Sequence, residues 1–274
     1  MESDSCWNKG QAVHAYVLSF FRLPMGIGLP MVRRTLILKI FILTIVAHSA
    51  FAVADLSFDG QNRFIMTGKR MKVDIVNEGD GDALADVSVT WGDEKTKKDL
   101  PLVISRPLLK ISPKGRGSVD IIYQGIGFPA DRESYMLLNV LDVPTVPHDP
   151  NVLQIALRHR LKLFYRPALK ETLDDAMAAL SWELRNEGGR VISAYNPSAY
   201  YLTLSDITFV DRSGNGCAES IEHLMIAPFS SALLEISSCN STDFRFNVIS
   251  DAGYARPYRV KLIFGENNTG LRQD

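Results

Sequence analysis

The 274-residue chain is poor in the features that mark enzymes and nucleic-acid-binding proteins. It has no basic excess: 30 Lys and Arg stand against 31 Asp and Glu, a formal net charge of −1, which argues against a nucleic-acid partner. Asp and Glu do not cluster in runs. There is no repeat of fixed short period and no low-complexity tract. The sequence holds no G-x-S-x-G elbow, no phosphate loop and no dinucleotide fingerprint. No Cys–His or paired-carboxylate arrangement is visible. The histidines beyond residue 52, His148, His159 and His223, lack the close spacing of metal ligands. No enzymatic activity, metal or cofactor is therefore expected. Asn240-Ser-Thr and Asn267-Asn-Thr match glycosylation acceptors, a pattern too frequent by chance to carry weight.

What is present begins with a targeting segment. Met31-Val-Arg33-Arg34 supplies a positive start, Leu36 to Ala47 an apolar run, and Ala50-Phe51-Ala52 the small-x-small pattern of a signal-peptidase site. The run is short of the roughly 20 residues of a membrane span. Residues 31–52 are thus expected to be a signal peptide cleaved after Ala52, with no membrane insertion of the mature chain. Residues 1–30 match neither a leader nor a domain. They are read as lying upstream of the true start at Met31, an extended leader being the alternative. Removing residues 1–52 takes five basic and two acidic residues, so 30 less 5 leaves 25 Lys and Arg, and 31 less 2 leaves 29 Asp and Glu, a net charge of −4. Two cysteines remain, Cys217 and Cys239. Export favours a disulfide between them over two buried free thiols. The bond would close a loop of about twenty residues and stabilise by roughly 3 kcal/mol on the chain-entropy model.

From Asp55 on, the pattern is that of strands. Arg63 to Met66 is short and apolar. Met71, Val73 and Ile75 alternate with polar neighbours before the turn at Asn77-Glu-Gly-Asp-Gly. Val87, Val89 and Trp91 alternate likewise. Leu100 to Ile104, Leu108 to Ile111, Val119 to Tyr123 and Tyr135 to Val143 follow, separated by Pro and Gly. The segment Asn151 to Pro167, NVLQIALRHRLKLFYRP, is unusual. Leu153, Ile155 and Leu157 alternate at strand period, and the run continues to Tyr165. A strand of about fifteen residues exceeds the common five or six. It would leave a long apolar edge, which soluble proteins normally avoid because it invites pairing with another chain. Pro167 ends it, since Pro cannot extend a ladder. About seven short strands without a convincing amphipathic helix read as a β-sandwich. After one or two helical turns at 171–179, strands resume at 180–185, 191–195, 200–204, 207–210, 233–236, 244–249 and 258–264. The fold class expected is all-β: two immunoglobulin-like sandwiches in tandem, 53–167 and 168–274, with a cleft between them.

Several ordered stretches resemble one family. IALRHRLKLFYRP is similar to the last strand of the first domain of the periplasmic chaperones that assemble pili by the chaperone–usher route. Asp131-Arg-Glu-Ser with Leu138-Asn-Val-Leu-Asp-Val-Pro144 is similar to the strand before it. Asn196-Pro-Ser-Ala-Tyr200-Tyr201, Met225-Ile-Ala-Pro228-Phe and Ile249-Ser-Asp251-Ala-Gly253 are similar to signatures of the second domain. The short loop Thr145 to Pro150 resembles the class that builds rod-like pili. Arg106-Pro107 departs from the family's usual two prolines, Asp120 from a common arginine, and Ser250-Asp251-Ala252 from Asn-Asp-aromatic.

The resemblance implies partners and sites. The partners are pilin or fimbrial subunits and an outer-membrane usher, met in the periplasm. Leu153, Ile155 and Leu157 would be donor-strand residues filling the groove of a subunit that lacks one strand. Lys162 and Arg63, the latter matched with a shift of one residue, would bind the subunit's C-terminal carboxylate. Glu133, Arg166 and Asp251 would form an ion network that fixes the angle between the domains. The other readings are strand residues facing their own core, solvated basic residues, and unrelated surface charges. A different class also remains: an exported structural or adhesive sandwich protein that self-associates through the edge of this strand. The two-domain pattern, with no strand-like extension after Ala52, argues against a pilin.

Overall fold

The computed structural model describes residues 56–273, apart from 94–95, 97, 145–154, 187–189, 212 and 236–240. Among the described residues, eighteen strands and one short helix form two sandwiches in series. The first contains β1 (Leu56–Ser57), β2 (Arg63–Met66), β3 (Arg70–Asn77), β4 (Ala83–Trp91), β5 (Leu102–Ile104), β6 (Leu108–Ile111), β7 (Arg116–Tyr123), β8 (Ser134–Asp142) and β9 (Leu157–Tyr165). One sheet has the order β1-β3-β7-β5 and the other β2-β9-β8-β4-β6. Period-two alternation turns Val73, Ile75, Val119 and Ile121 inward from the first sheet. They meet Ala85, Val87, Met136, Leu138, Val140 and Leu163 of the second in one buried core.

The opening segment changes sheets. β1 pairs antiparallel with β3. The chain then bends through Asp59 and Gly60, both at positive φ. The strain at Asp59 is of the kind Asp tolerates and Gly60 avoids. β2 emerges in the opposite sheet, parallel to β9. This crossing decides where Arg63 ends up.

After β9 comes helix α1 (Leu173–Ala179). Thr172 caps it: its hydroxyl accepts from the Asp175 N–H, and Asp175 reaches back to the Thr172 N–H, a capping box. Ala176 and Met177 of α1 enter the second core. That core lies between the sheets β14-β11-β10-β17 and β13-β12-β15-β16-β18. Their strands are β10 (Ser181–Asn186), β11 (Arg190–Asn196), β12 (Leu202–Val210), β13 (Ile221–Ile226), β14 (Ser230–Glu235), β15 (Asp243–Ile249), β16 (Ala255–Lys261), β17 (Asn268–Thr269) and β18 (Leu271–Arg272). Trp182 is its fully buried centre, with ring centroids 4.8 Å from Phe244 and 5.1 Å from Phe246. Among the described residues no helix is long and apolar enough to cross a membrane.

Three expectations change. The strand expected over 151–165 begins at Leu157 among the described residues, because its partner β8 stops at Asp142, opposite Leu157, and no neighbour remains to bond to. Residues 200–204 and 207–210 are not two strands but one, β12, bulged between Ser205 and Thr208 with Asp206 at positive φ. β13 and the short β1, β17 and β18 had no sequence signal of their own.

Each sandwich is pinned by a buried asparagine at a strand end. The Asn77 amide donates to the carbonyls of Gly81, Ile111 and Ser112, and its oxygen accepts from the Gly79 N–H. Asn196 does the same for Tyr200, Ile226 and Ala227, accepting from the Ser198 N–H. Removing such a side chain strands several backbone groups at once. Asn77→Ala is therefore expected to lose about 1–3 kcal/mol of stability, read as a lowered midpoint in urea unfolding.

Candidate functional site: an open strand edge ending on two cations

β9 is bonded to β8 along its whole length, from Leu157 opposite Asp142 to Tyr165 opposite Ser134. On its other side β2 covers only Lys162 to Tyr165. Among the described residues, the edge of Leu157–Leu161 on that side carries no partner strand. One face of β9 starts in the core with Leu163 and with Leu161 and Tyr165 packed against it. The same face runs outward to His159, whose ring lies 5.2 Å from that of Phe58, and to Leu157, 42% exposed. Ile155, just before the strand, is 63% exposed. Leu153 lies outside the described residues. Leu157 and Ile155 therefore do not serve their own core. An apolar stripe leaves the sandwich beside an unfilled ladder.

The opposite face of β9 meets the second sandwich. Phe164 is fully buried, with ring centroids 5.2 Å from Tyr135 and 5.7 Å from Tyr201. The parallel register sets Arg63 directly opposite Lys162. Like charges facing each other across a ladder are destabilising. Arg63 is 93% buried, and its guanidinium carbon stands 4.4 Å from the centroid of the Phe164 ring. Its Nη1 donates to the Thr203 hydroxyl of β12 at 3.4 Å, while Nε and Nη2 are buried without a partner. Burial lowers the Arg63 pKa, against the pull of Glu133 and Asp251. Burial, and next the charge of Arg63, lowers Lys162 to about 8. Lys162 Nζ lies 2.5 Å from His223 Nε2 of β13. Two adjacent, half-desolvated cations with unfilled N–H donors suit one anion with two acceptor oxygens, such as a carboxylate.

A third group holds this face together. Arg166 donates through Nε to Glu133 Oε1 at 2.7 Å, and through Nη1 and Nη2 to Asp251 Oδ2 and Oδ1 at 2.6 and 2.7 Å. Glu133 Oε2 accepts from the Tyr201 N–H at 2.7 Å, and the Glu133 N–H donates to the Ala199 carbonyl. The guanidinium sits over the Tyr200 ring, 4.8 Å from its centroid. Glu133 and Arg166 belong to the first sandwich, and Asp251, Tyr200 and Tyr201 to the second. The Glu133 side chain is fully buried, so these are not surface charges. Burial raises its pKa, opposed by Arg166, the Tyr201 amide and Arg63.

Cys217 is half-buried and disulfide-bonded. Cys239, its expected partner, lies outside the described residues. Thr203 goes unremarked in the sequence and His223 is weighed there only as a metal ligand, because nothing local marks a threonine or a histidine as facing a strand sixty or more residues away.

Two sandwiches in tandem, joined across buried charge and presenting an open strand edge that ends on paired cations, define a class of strand-binding assembly proteins. The chain belongs to the PapD family of pilus-assembly chaperones, which are not enzymes. The model described as "Pili and flagellar-assembly chaperone, PapD N-terminal domain" matches residues 60–170, and that of "Pili assembly chaperone PapD, C-terminal domain" matches residues 175–260. The chaperone protein FimB/FhaD of Bordetella pertussis is 30% identical over 240 residues, covering 80% of this chain and 96% of that protein. The probable fimbrial chaperone YadV of Escherichia coli is 30% identical over 235 residues, 80% and 94% of the two chains. The crystal structure of YadV superposes with a TM-score of 0.62 at 28% identity, covering 80% of this chain and all of that one. That of the periplasmic chaperone SfaE gives 0.58 at 26% identity, with 79% and 98% covered.

Arg166→Met leaves the buried Glu133 carboxylate without its cation. The expected loss in urea unfolding at pH 7.5 is about 3–5 kcal/mol. It should shrink as pH falls toward 5, because Glu133, already raised by burial, then takes up a proton and the stranded charge disappears. Adding Glu133→Gln should remove that pH dependence.

Proposed function

We propose that this chain is a periplasmic chaperone that binds pilin-type subunits by donor-strand complementation and delivers them to an outer-membrane usher. The observation that carries this reading is the edge of Leu157–Leu161, which among the described residues pairs with no strand on the side of β2 and lies beside an apolar stripe that leaves the core. A subunit strand added there gains main-chain ladder bonds, while Ile155 and Leu157, with Leu153 before them, fill its groove. Burying each side chain contributes about 1.5–3 kcal/mol. Arg63 and Lys162 hold the subunit's C-terminal carboxylate, which sets register. The Glu133–Arg166–Asp251 network fixes the angle between the sandwiches and so the width of the cleft. The relatives named as fimbrial chaperones support the same reading.

The remaining assignments follow from it. Export uses residues 31–52, with cleavage after Ala52 and residues 1–30 upstream of the true start. The domains are 53–167 and 168–274. Cys217 pairs with Cys239. By the resemblance of the sequence Thr145 to Pro150, the chain is read with the class that builds rod-like pili. Usher contacts lie mostly on the first domain. The same open edge supports a second reading, in which two copies pair through it and self-associate.

Co-purification from the periplasm tests this. Wild type is expected to hold a fimbrial subunit stoichiometrically. Ile155→Arg and Lys162→Ala, both folded by circular dichroism, are expected to lose it. Folded variants that retain the subunit as well as wild type would remove the edge and the anchor from the mechanism. A wild type that captures no subunit but elutes as a dimer would favour the self-pairing reading.

The pH dependence is a second test. The anchor needs the Lys162 ammonium, whose pKa in the free chain is about 8. A bound carboxylate raises that value, so the contribution of the lysine to affinity is fully present below pH 8 and is lost as pH rises through 8. Subunit off-rates measured from pH 7 to 10 should rise over that interval in wild type and stay flat in Lys162→Arg, whose guanidinium keeps its charge throughout.

A further inference from the structure

Lys162 reaches across to the second sandwich, and what it meets there is not an acid. Its Nζ lies 2.5 Å from Nε2 of His223, on β13. An ammonium can only donate, so Nε2 must offer its lone pair, and the ring in this contact is neutral with its proton on Nδ1. His223 is itself exposed at the mouth of the cleft. A histidine that accepts from the anchoring lysine is well placed to change what that lysine can do.

The surroundings of the ring set the sign. Lys162 of β9 is the charged group acting on it, and Arg63 of β2 stands directly behind Lys162. Across the ladder on β12 its register partner is Ser205, which is uncharged. The neighbouring Asp206 is engaged with the Ser205 hydroxyl and the Asn247 amide. On β13 itself Glu222 and Leu224 alternate to the other face. Two cations and, among the described residues, no carboxylate acting on the ring make protonation of His223 unfavourable while the cleft is empty. Burial and the Lys162 charge both hold its pKa below the ordinary value. A carboxylate seated on Lys162 reverses the local charge.

Resting on the carboxylate-anchor reading above, we propose that His223 is a third member of that site. Neutral, it positions the Lys162 ammonium in the empty cleft; protonated, it joins Arg63 and Lys162 around the bound carboxylate. Anion binding and proton uptake at His223 are then coupled, and by linkage each favours the other. Binding of a free C-terminus is tighter at mildly acidic pH than at neutral pH, although the terminal carboxylate itself titrates near 3.5 and is ionised throughout.

Two measurements on the mature chain test this, with a synthetic peptide of alternating Val and Thr ending in a free carboxylate and its C-terminal amide as probes. In the first, the His223 ring is titrated by NMR without peptide. Its pKa is expected below the ordinary histidine value in wild type and to rise in Lys162→Met. An unchanged titration would overturn the contact and the proposal with it. In the second, peptide affinity is compared at pH 5.5 and 7.5. Wild type is expected to bind the carboxylate peptide about three- to tenfold more tightly at pH 5.5, the range that up to one unit of coupled pKa change allows. The amide should show no such gain, and His223→Gln should bind the carboxylate peptide equally at both pH values. If His223→Gln keeps the full gain at pH 5.5, the proposal fails while the anchor stands. If wild type does not distinguish carboxylate from amide at either pH, the anchor reading fails and this inference falls with it, whatever the NMR titration reports for the Lys162–His223 pair.

Discussion

Four residue pairs of parallel ladder, Arg63 with Lys162 through Met66 with Tyr165, determine most of what this molecule can do. They stop β2 halfway along β9 and so leave one edge of the outer half of that strand without a partner strand among the described residues. They also bring two cations together that no isolated fold would choose to oppose. Both consequences come from the bend at Asp59 and Gly60, which moves the chain from one sheet to the other between β1 and β2. Without the crossing, β2 would continue along β3. Arg63 would then sit on the far sheet.

The second sandwich makes that pairing tolerable. Thr203 takes one Arg63 donor, Phe164 presents its ring face to the guanidinium, and His223 accepts from Lys162. Arg166, held between Glu133 and Asp251, ties the same face of β9 to the second sandwich one residue past Tyr165. Of the two arginines, Arg166 has a carboxylate partner on each guanidinium nitrogen, whereas Arg63 has none on Nε and Nη2 among the described residues. That contrast separates the residue that braces the interface from the one with N–H groups to offer a ligand. Buried donors without partners are uncommon in folded proteins, and the two on the Arg63 guanidinium are an observation on which the proposed carboxylate anchor rests.

The sequence reveals the sandwiches more readily than the site. Alternation at Met71–Ile75, Val87–Trp91 and Leu108–Ile111 suffices to place strands, because a half-buried strand shows its period in its own residues. The α1 turn is visible in ETLDDAMAA, where Thr172 and Asp175 stand three apart. The end of β9 is not visible, since it depends on where β8 runs out, at Asp142. Nor does any local pattern separate the single bulged β12 from two strands. Glu133, Arg166, Asp251 and Lys162 could be picked out only by motif resemblance, and Arg63 only with a shift of one residue. The parallel register that sets Arg63 against Lys162 joins segments about a hundred residues apart. His223 carries no signal at all, because its partner lies on another domain.

The place where β2 begins has one more consequence. β2 runs parallel to β9, so a strand laid parallel along Leu157–Leu161 on the same side, with its last residue opposite Leu161, meets the start of β2 end to end. There is no room for the visitor to continue: its next residue would collide with Arg63. Only a chain that finishes there fits, and an internal stretch of identical sequence does not. If the proposed edge is where a partner strand lies, the blunt start of β2 at Arg63 acts as a stop that accepts a chain end and turns away an internal stretch.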